Sequence, residues 1–100
     1  MWYNLEGKTP VPLEESQLPN FRRKHLGKFR FNKSLVSTVF LGLDHSFDGQ
    51  TPILFETMIF SDLIVNDEYQ VRYATYDEAI LGHWRAVGYL IGLSIQPFFK

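Results

Sequence analysis

The residue pattern predicts an α+β domain: an antiparallel meander of three to four strands packed by a C-terminal helix, with a short N-terminal helix at one side. Three observations predict it. Between Lys28 and Ala74, apolar and polar residues alternate in stretches separated by turn-forming clusters. Thr75-Tyr76-Asp77-Glu78 then has the form of a capping box, in which each of Thr75 and Glu78 accepts from the other's backbone N–H. Beyond it, Ile80, Trp84, Val87 and Ile91 recur at helical spacing, which predicts one stripe against the sheet with Trp84 buried in it.

The elements follow in order. Trp2-Tyr3-Asn4-Leu5 reads as a short β segment, Glu6-Gly7-Lys8 as a turn, and Thr9 to Pro12 as extended chain, because residues before proline avoid the α region. Pro12 opens a short helix through Leu13–Leu18, which Pro19 limits. Asn20 to Gly27 is a basic connector. Phe29 and Phe31 alternate with Lys28, Arg30 and Asn32 in a half-buried strand, and Ser34 to Leu43 is a β-branched, apolar run expected at the sheet centre. Asp44 to Gln50, with Asp48-Gly49 at its tip, is the clearest turn signal. Ile53 to Phe60 follows, with Ile53, Phe55, Thr57 and Ile59 on one face and Leu54, Glu56, Met58 and Phe60 on the other. A short apolar insert, Leu63-Ile64-Val65, precedes a last strand over Glu68–Ala74. The second half of the helix, Val87 to Ile95, is apolar nearly all round, and Pro97 ends it.

Composition bounds the function. The 100 residues are 45% hydrophobic, 16% aromatic and 21% charged, which fits a single small globular domain over residues 1–100 and argues against a solvated coil. There is no cysteine, which excludes disulfides, Cys-ligated metals and thiol nucleophiles. The formal net charge of −1 gives no global field for nucleic acid or membrane. Its distribution is uneven: residues 1–40 carry seven Lys/Arg against three acids, and residues 41–80 one against eight. Either the two segments fold together and neutralise each other, or the domain has a basic and an acidic edge. No segment is long and apolar enough to span a bilayer, and the N-terminal residues lack the charged and apolar regions of an export signal. A cytoplasmic location is the resulting expectation.

Few residues suggest chemistry. His45, Glu56 and His83 would form a two-His, one-carboxylate metal or catalytic site if turn, strand and helix converge. Their spacing matches no motif with a known mechanism, and the simpler reading is structural: Asp44 and His45 bond the turn, and Glu56 pairs with Arg72 or His83. No nucleophile elbow, Walker loop or dinucleotide fingerprint occurs, so no cofactor is expected and an enzyme is the less favoured class. The basic run Arg22-Arg23-Lys24 reads first as a solvated connector; with Phe21 and Phe29 alongside it is also a candidate nucleic-acid patch, though no RRM-like aromatic signature supports that. The aromatic and aliphatic residues at the two ends, Trp2 and Tyr3, then Tyr89, Leu90, Leu93, Phe98 and Phe99, are candidate partner contacts.

Val36-Ser37-Thr38-Val39-Phe40-Leu41-Gly42-Leu43-Asp44-His45 resembles a family of short proteins encoded by tailed bacteriophages and prophages. The resemblance continues at Pro52–Phe60, Arg72–Thr75, Glu78-Ala79 and Gly82-His83, and the opening Trp2-Tyr3-Asn4 with Gly7-Lys8 is similar too. It covers roughly residues 34–83 and departs at Leu63–Val65 and at the apolar C-terminus from Gly88. It implies a phage origin, and hence the host cytoplasm, but no particular activity. The expected function is a non-enzymatic accessory protein that binds a host or phage protein, modulating host machinery or an antiviral defence. A small metal-dependent or nucleotide-acting enzyme, a minor virion component and a homo-oligomer are the competing expectations.

Overall fold

The computed structural model describes residues 1–47, 51–64 and 69–95. Strands β1 (Trp2–Glu6) and β2 (Thr9–Leu13) form an antiparallel hairpin turned at Gly7, whose φ of 61° is one that side-chain-bearing residues avoid. Pro10 and Pro12 break the donor pattern of β2, as suits a strand at the edge of a two-stranded unit. A 3-10 helix, Glu15–Asn20, follows. It replaces the helix expected over Leu13–Leu18, because β2 retains Leu13 and the short segment buries no residue.

The main sheet is a four-stranded antiparallel meander in the order β3 (Lys24–Phe31), β4 (Ser34–Phe40), β5 (Phe55–Phe60), β6 (Tyr69–Tyr73), and α1 (Tyr76–Ile95) packs on one face. The expected α+β architecture is the observed one. Several strand bounds differ from the expectation: β5 begins at Phe55 rather than Ile53, β6 ends at Tyr73 rather than Ala74, and β3 and β4 differ most. β3 begins inside the basic connector, at Lys24, and absorbs an irregularity between His25 and Gly27. β4 ends at Phe40, because Leu41–Leu43 leaves the ladder to meet the hairpin: the Tyr3 N–H donates to the Gly42 carbonyl at 2.7 Å, and Trp2 bridges Leu43. The capping box is present, with the Thr75 N–H donating to Glu78 Oε1 and the Glu78 N–H to Thr75 Oγ1, both at 3.1 Å.

The helix corrects the expected stripe. Trp84 is 60% exposed and Ile91 36%, whereas Ala79, Gly82, His83, Ala86, Val87 and Leu90 are the buried residues of α1. Small side chains let the helix approach the sheet closely; a Cβ at Gly82 would overlap the Tyr73 ring. Apolar residues occupy both sides of this helix, so its apolar periodicity does not define which side packs. The core divides in two. Leu5, Phe40, Leu54, Phe55 and Ala79 join the hairpin to the start of the helix, and Val36, Ile59, Ala86, Val87 and Leu90 fill the rest. Among the described residues no helix is long and apolar enough to cross a membrane.

Candidate functional site

Residues 55, 57 and 59 of β5 face α1, so Glu56, Met58 and Phe60 face the opposite side of the sheet. This alternation separates the sequence candidates. His83 lies between helix and sheet, 5% exposed. Its Nδ1 is 2.7 Å from Thr38 Oγ1, which is 2.6 Å from Thr57 Oγ1 across the β4–β5 pair. Gly27 leaves room for the ring, since a Cβ there would sit 2.9 Å from His83 Nε2. Burial pushes the His83 pKa below its ordinary value. Thr38 and Thr57 are fully buried, so neither hydroxyl meets solvent as a nucleophile. The three groups form a satisfied polar chain inside an apolar layer.

Glu56 is buried on the other face. Its Oε2 accepts from Gln70 Nε2 at 2.6 Å and from Arg72 Nε at 3.0 Å, with Arg72 directly opposite on β6. Of the two partners that the sequence left open for Glu56, Arg72 is the one it takes. His45 stands in the loop after β4, in a groove of about 420 Å³ lined by Ser46, Phe47, Thr51, Ile53 and Arg72. Asp44 organises that loop, accepting from the N–H groups of Ser46 and Ile53, and these bonds hold its carboxyl below the usual carboxylate range. The His45 N–H itself donates to the Ile53 carbonyl at 3.0 Å. Glu56 and His83 thus lie on opposite faces of the sheet. Among the described residues no group of three or more His, Asp and Glu is placed to hold a metal ion.

The candidate partner residues scatter. Trp2 packs edge-to-face on Phe21 with centroids 5.0 Å apart, and Tyr3 packs against the first core cluster. Leu90 is fully buried under α1, which corrects its assignment as a contact: it turns toward Val36 and Ile59 with the small-residue face. Leu93 is half-buried, and Tyr89 is exposed beside Tyr69. Phe98 and Phe99 lie outside the described residues. The basic run is partly structural, since Lys24 Nζ donates to the Leu5 carbonyl at 2.7 Å and the Arg22 guanidinium to the Phe21 carbonyl at 2.8 Å, while Arg23 is exposed.

Two surfaces emerge, of which the linear pattern pointed only to the second, through the all-round apolar half of the helix. One is the uncovered face of the meander. Val39 and Glu56 are buried at one end of it, Leu35, Ser37 and Met58 are half-buried along its centre, and Phe60 is 52% exposed at the other end. Lys28 and Arg30 flank this strip on β3, and Gln70 and Arg72 flank it on β6. The alternation of Lys28 and Arg30 with Phe29 and Phe31 was visible in the sequence; that they border one open face follows only from the strand order. Ion pairs among the described residues are Lys8–Asp77 at 3.9 Å and Arg72–Glu56 at 3.0 Å, so the acidic middle does not neutralise the cations of β3 there. The other surface is the outer side of α1, with Leu81, Trp84, Ile91 and Ile95. No protein-family model, curated protein or solved structure matches the chain.

Proposed function

We propose that this is a small, phage-encoded accessory protein that acts by binding a host or phage protein, and that it does so with the uncovered sheet face. The observation that carries this reading is the composition of that face: an apolar strip of Leu35, Met58 and Phe60 beside the cations Lys28 and Arg30, with Arg72 paired to Glu56 on its other side. The carboxylate on it among the described residues, Glu56, is buried and already bonded to Arg72 and Gln70. Such a surface complements a partner with an apolar anchor ringed by acidic side chains. It suits protein better than single-stranded nucleic acid, because nucleic-acid sheet platforms stack bases on several strand aromatics and Phe60 is the one aromatic that the described strands expose on this face. The phage origin is supported by the sequence resemblance over residues 34–83.

The test is affinity capture from infected and uninfected host cells with the wild type and a Lys28→Glu/Arg30→Glu/Phe60→Ser variant, both verified as folded by circular dichroism. A protein captured stoichiometrically by the wild type, lost by the variant and weakened by salt is the expected result. Capture unchanged in the variant overturns the assignment of this face. Tight binding of an oligodeoxythymidine probe that the variant abolishes would replace protein with nucleic acid as its ligand.

A further inference from the structure

The outer side of α1 combines two features that packing among the described residues does not explain. Leu81, Trp84, Ile91 and Ile95 are 53%, 60%, 36% and 43% exposed, although the opposite side of the same helix already supplies the core contact. Gly88 and Gly92 lie among them with nothing within 4 Å of a Cβ at either position. Glycine is the least favourable residue after proline in a helix interior, and no contact among the described residues requires it here. Between Leu81 and Ile95 the only charged residue, with the buried His83 neutral, is Arg85.

We propose that this side of α1 is a self-association surface, occupied by the same side of α1 from a second copy in an antiparallel, two-fold arrangement about Gly88. The spacing is self-complementary. Leu81 and Ile95 lie seven residues before and after Gly88, and Trp84 and Gly92 lie four before and after. At 100° per residue all five fall on one stripe. A two-fold axis through Gly88 therefore sets Trp84 of one copy over Gly92 of the other, a large side chain facing a gap, and Leu81 against Ile95. The glycines at and beside the axis permit close helix approach, and the helix dipoles run antiparallel.

The area agrees with a dimer. With about 250 Å² for a fully exposed tryptophan and about 180 Å² for leucine or isoleucine, the four side chains present on the order of 400 Å² per copy. Two copies bring about 800 Å². That equals the apolar share, roughly 65%, of the smallest specific interfaces, which bury about 1,200 Å². The surface lies on the far side of the helix from the sheet, so the inference stands apart from the proposed partner face.

Sedimentation over a concentration range, combined with single-cysteine cross-linking in this cysteine-free chain, tests it. The wild type should show a concentration-dependent monomer–dimer equilibrium. Gly88→Cys should oxidise to a disulfide-linked dimer, while Val71→Cys, exposed on β6, should not. Trp84→Ser should raise the dimer Kd at least about tenfold, as loss of a buried aromatic anchor does. Gly92→Leu should do the same by filling the gap, and it serves if Trp84→Ser proves poorly folded. Lys28→Glu/Arg30→Glu should leave the dimer intact. A chain monomeric at every concentration overturns the proposal. So does a dimer that neither Trp84→Ser nor Gly92→Leu weakens, or one whose Gly88→Cys form does not cross-link. Dimerisation only after truncation behind Ile95 also overturns it, by assigning the surface to the chain's own last residues.

Discussion

Replacing Thr38 with valine isolates the buried polar chain. The substitution keeps the side-chain volume almost unchanged, so it opens no cavity, and it removes one hydroxyl. That hydroxyl lies 2.6 Å from Thr57 Oγ1 and 2.7 Å from His83 Nδ1, and all three residues are buried. The loss therefore leaves two polar groups without a partner away from water, at about 1–3 kcal/mol for each buried group stranded. A combined cost of about 2–6 kcal/mol is a large part of the 5–15 kcal/mol typical of a domain. It should lower Tm by about 4–8 °C for each kcal/mol lost at this chain length. Equilibrium urea unfolding measures it as a fall in midpoint with an unchanged slope. The triple variant Thr38→Val/Thr57→Val/His83→Leu removes every member of the chain and should be at least as stable as Thr38→Val alone, because an apolar replacement of a whole network strands nothing. A Thr38→Val change costing less than about 0.5 kcal/mol, the range of neutral surface substitutions, would refute the reasoning by showing that these groups reach water.

Three further outcomes follow from the same packing. Burial holds the His83 pKa below its ordinary 6.5, so the unfolded chain binds a proton more readily than the folded one. Stability contributed by the neutral ring is thus full above pH 6.5 and declines as pH falls toward the folded pKa; unfolding midpoints across pH 8 to 5 should show this decline in the wild type and lose it in His83→Leu. At concentrations where the chain is monomeric, Trp84→Ala should change stability by no more than about 0.5–1 kcal/mol, whereas Leu90→Ala should cost about 2–5 kcal/mol as a core deletion; chemical denaturation compares them. Gly82→Ala should destabilise the fold by about 1–3 kcal/mol despite the helix propensity of alanine, since its Cβ enters the space of the Tyr73 ring; a raised Tm would show that the helix shifts freely on the sheet.

Short-range chemistry made much of this fold legible. The period-two stretches around Phe29, Thr57 and Val71 became β3, β5 and β6, because alternation is the pattern a half-buried strand requires. The capping box at Thr75 and Glu78 places the start of α1 to within a residue, since its two bonds join groups three positions apart. Glu56 was readable as a carboxylate in need of a partner because its strand neighbours are Leu54, Phe55, Thr57 and Met58.

The helix and the site depended on long-range contacts. Apolar residues on both sides of α1 leave its rotation undetermined by the apolar pattern alone. The tertiary structure selects the side with Ala79, Gly82 and Ala86, because close approach lets Val87 and Leu90 reach Val36 and Ile59 and lets His83 reach Thr38. That choice alone turns Trp84 outward. Likewise His83 bonds a hydroxyl 45 residues away, and Thr38 one 19 away. Sequence by itself determined the strands, the cap and the need to satisfy isolated polar groups, since each rests on neighbours a few residues apart. Which helix face is buried, which polar groups meet and which sheet face stays open were decided by tertiary packing, because they depend on how strands stack and how closely two layers approach, and no local pattern encodes that distance.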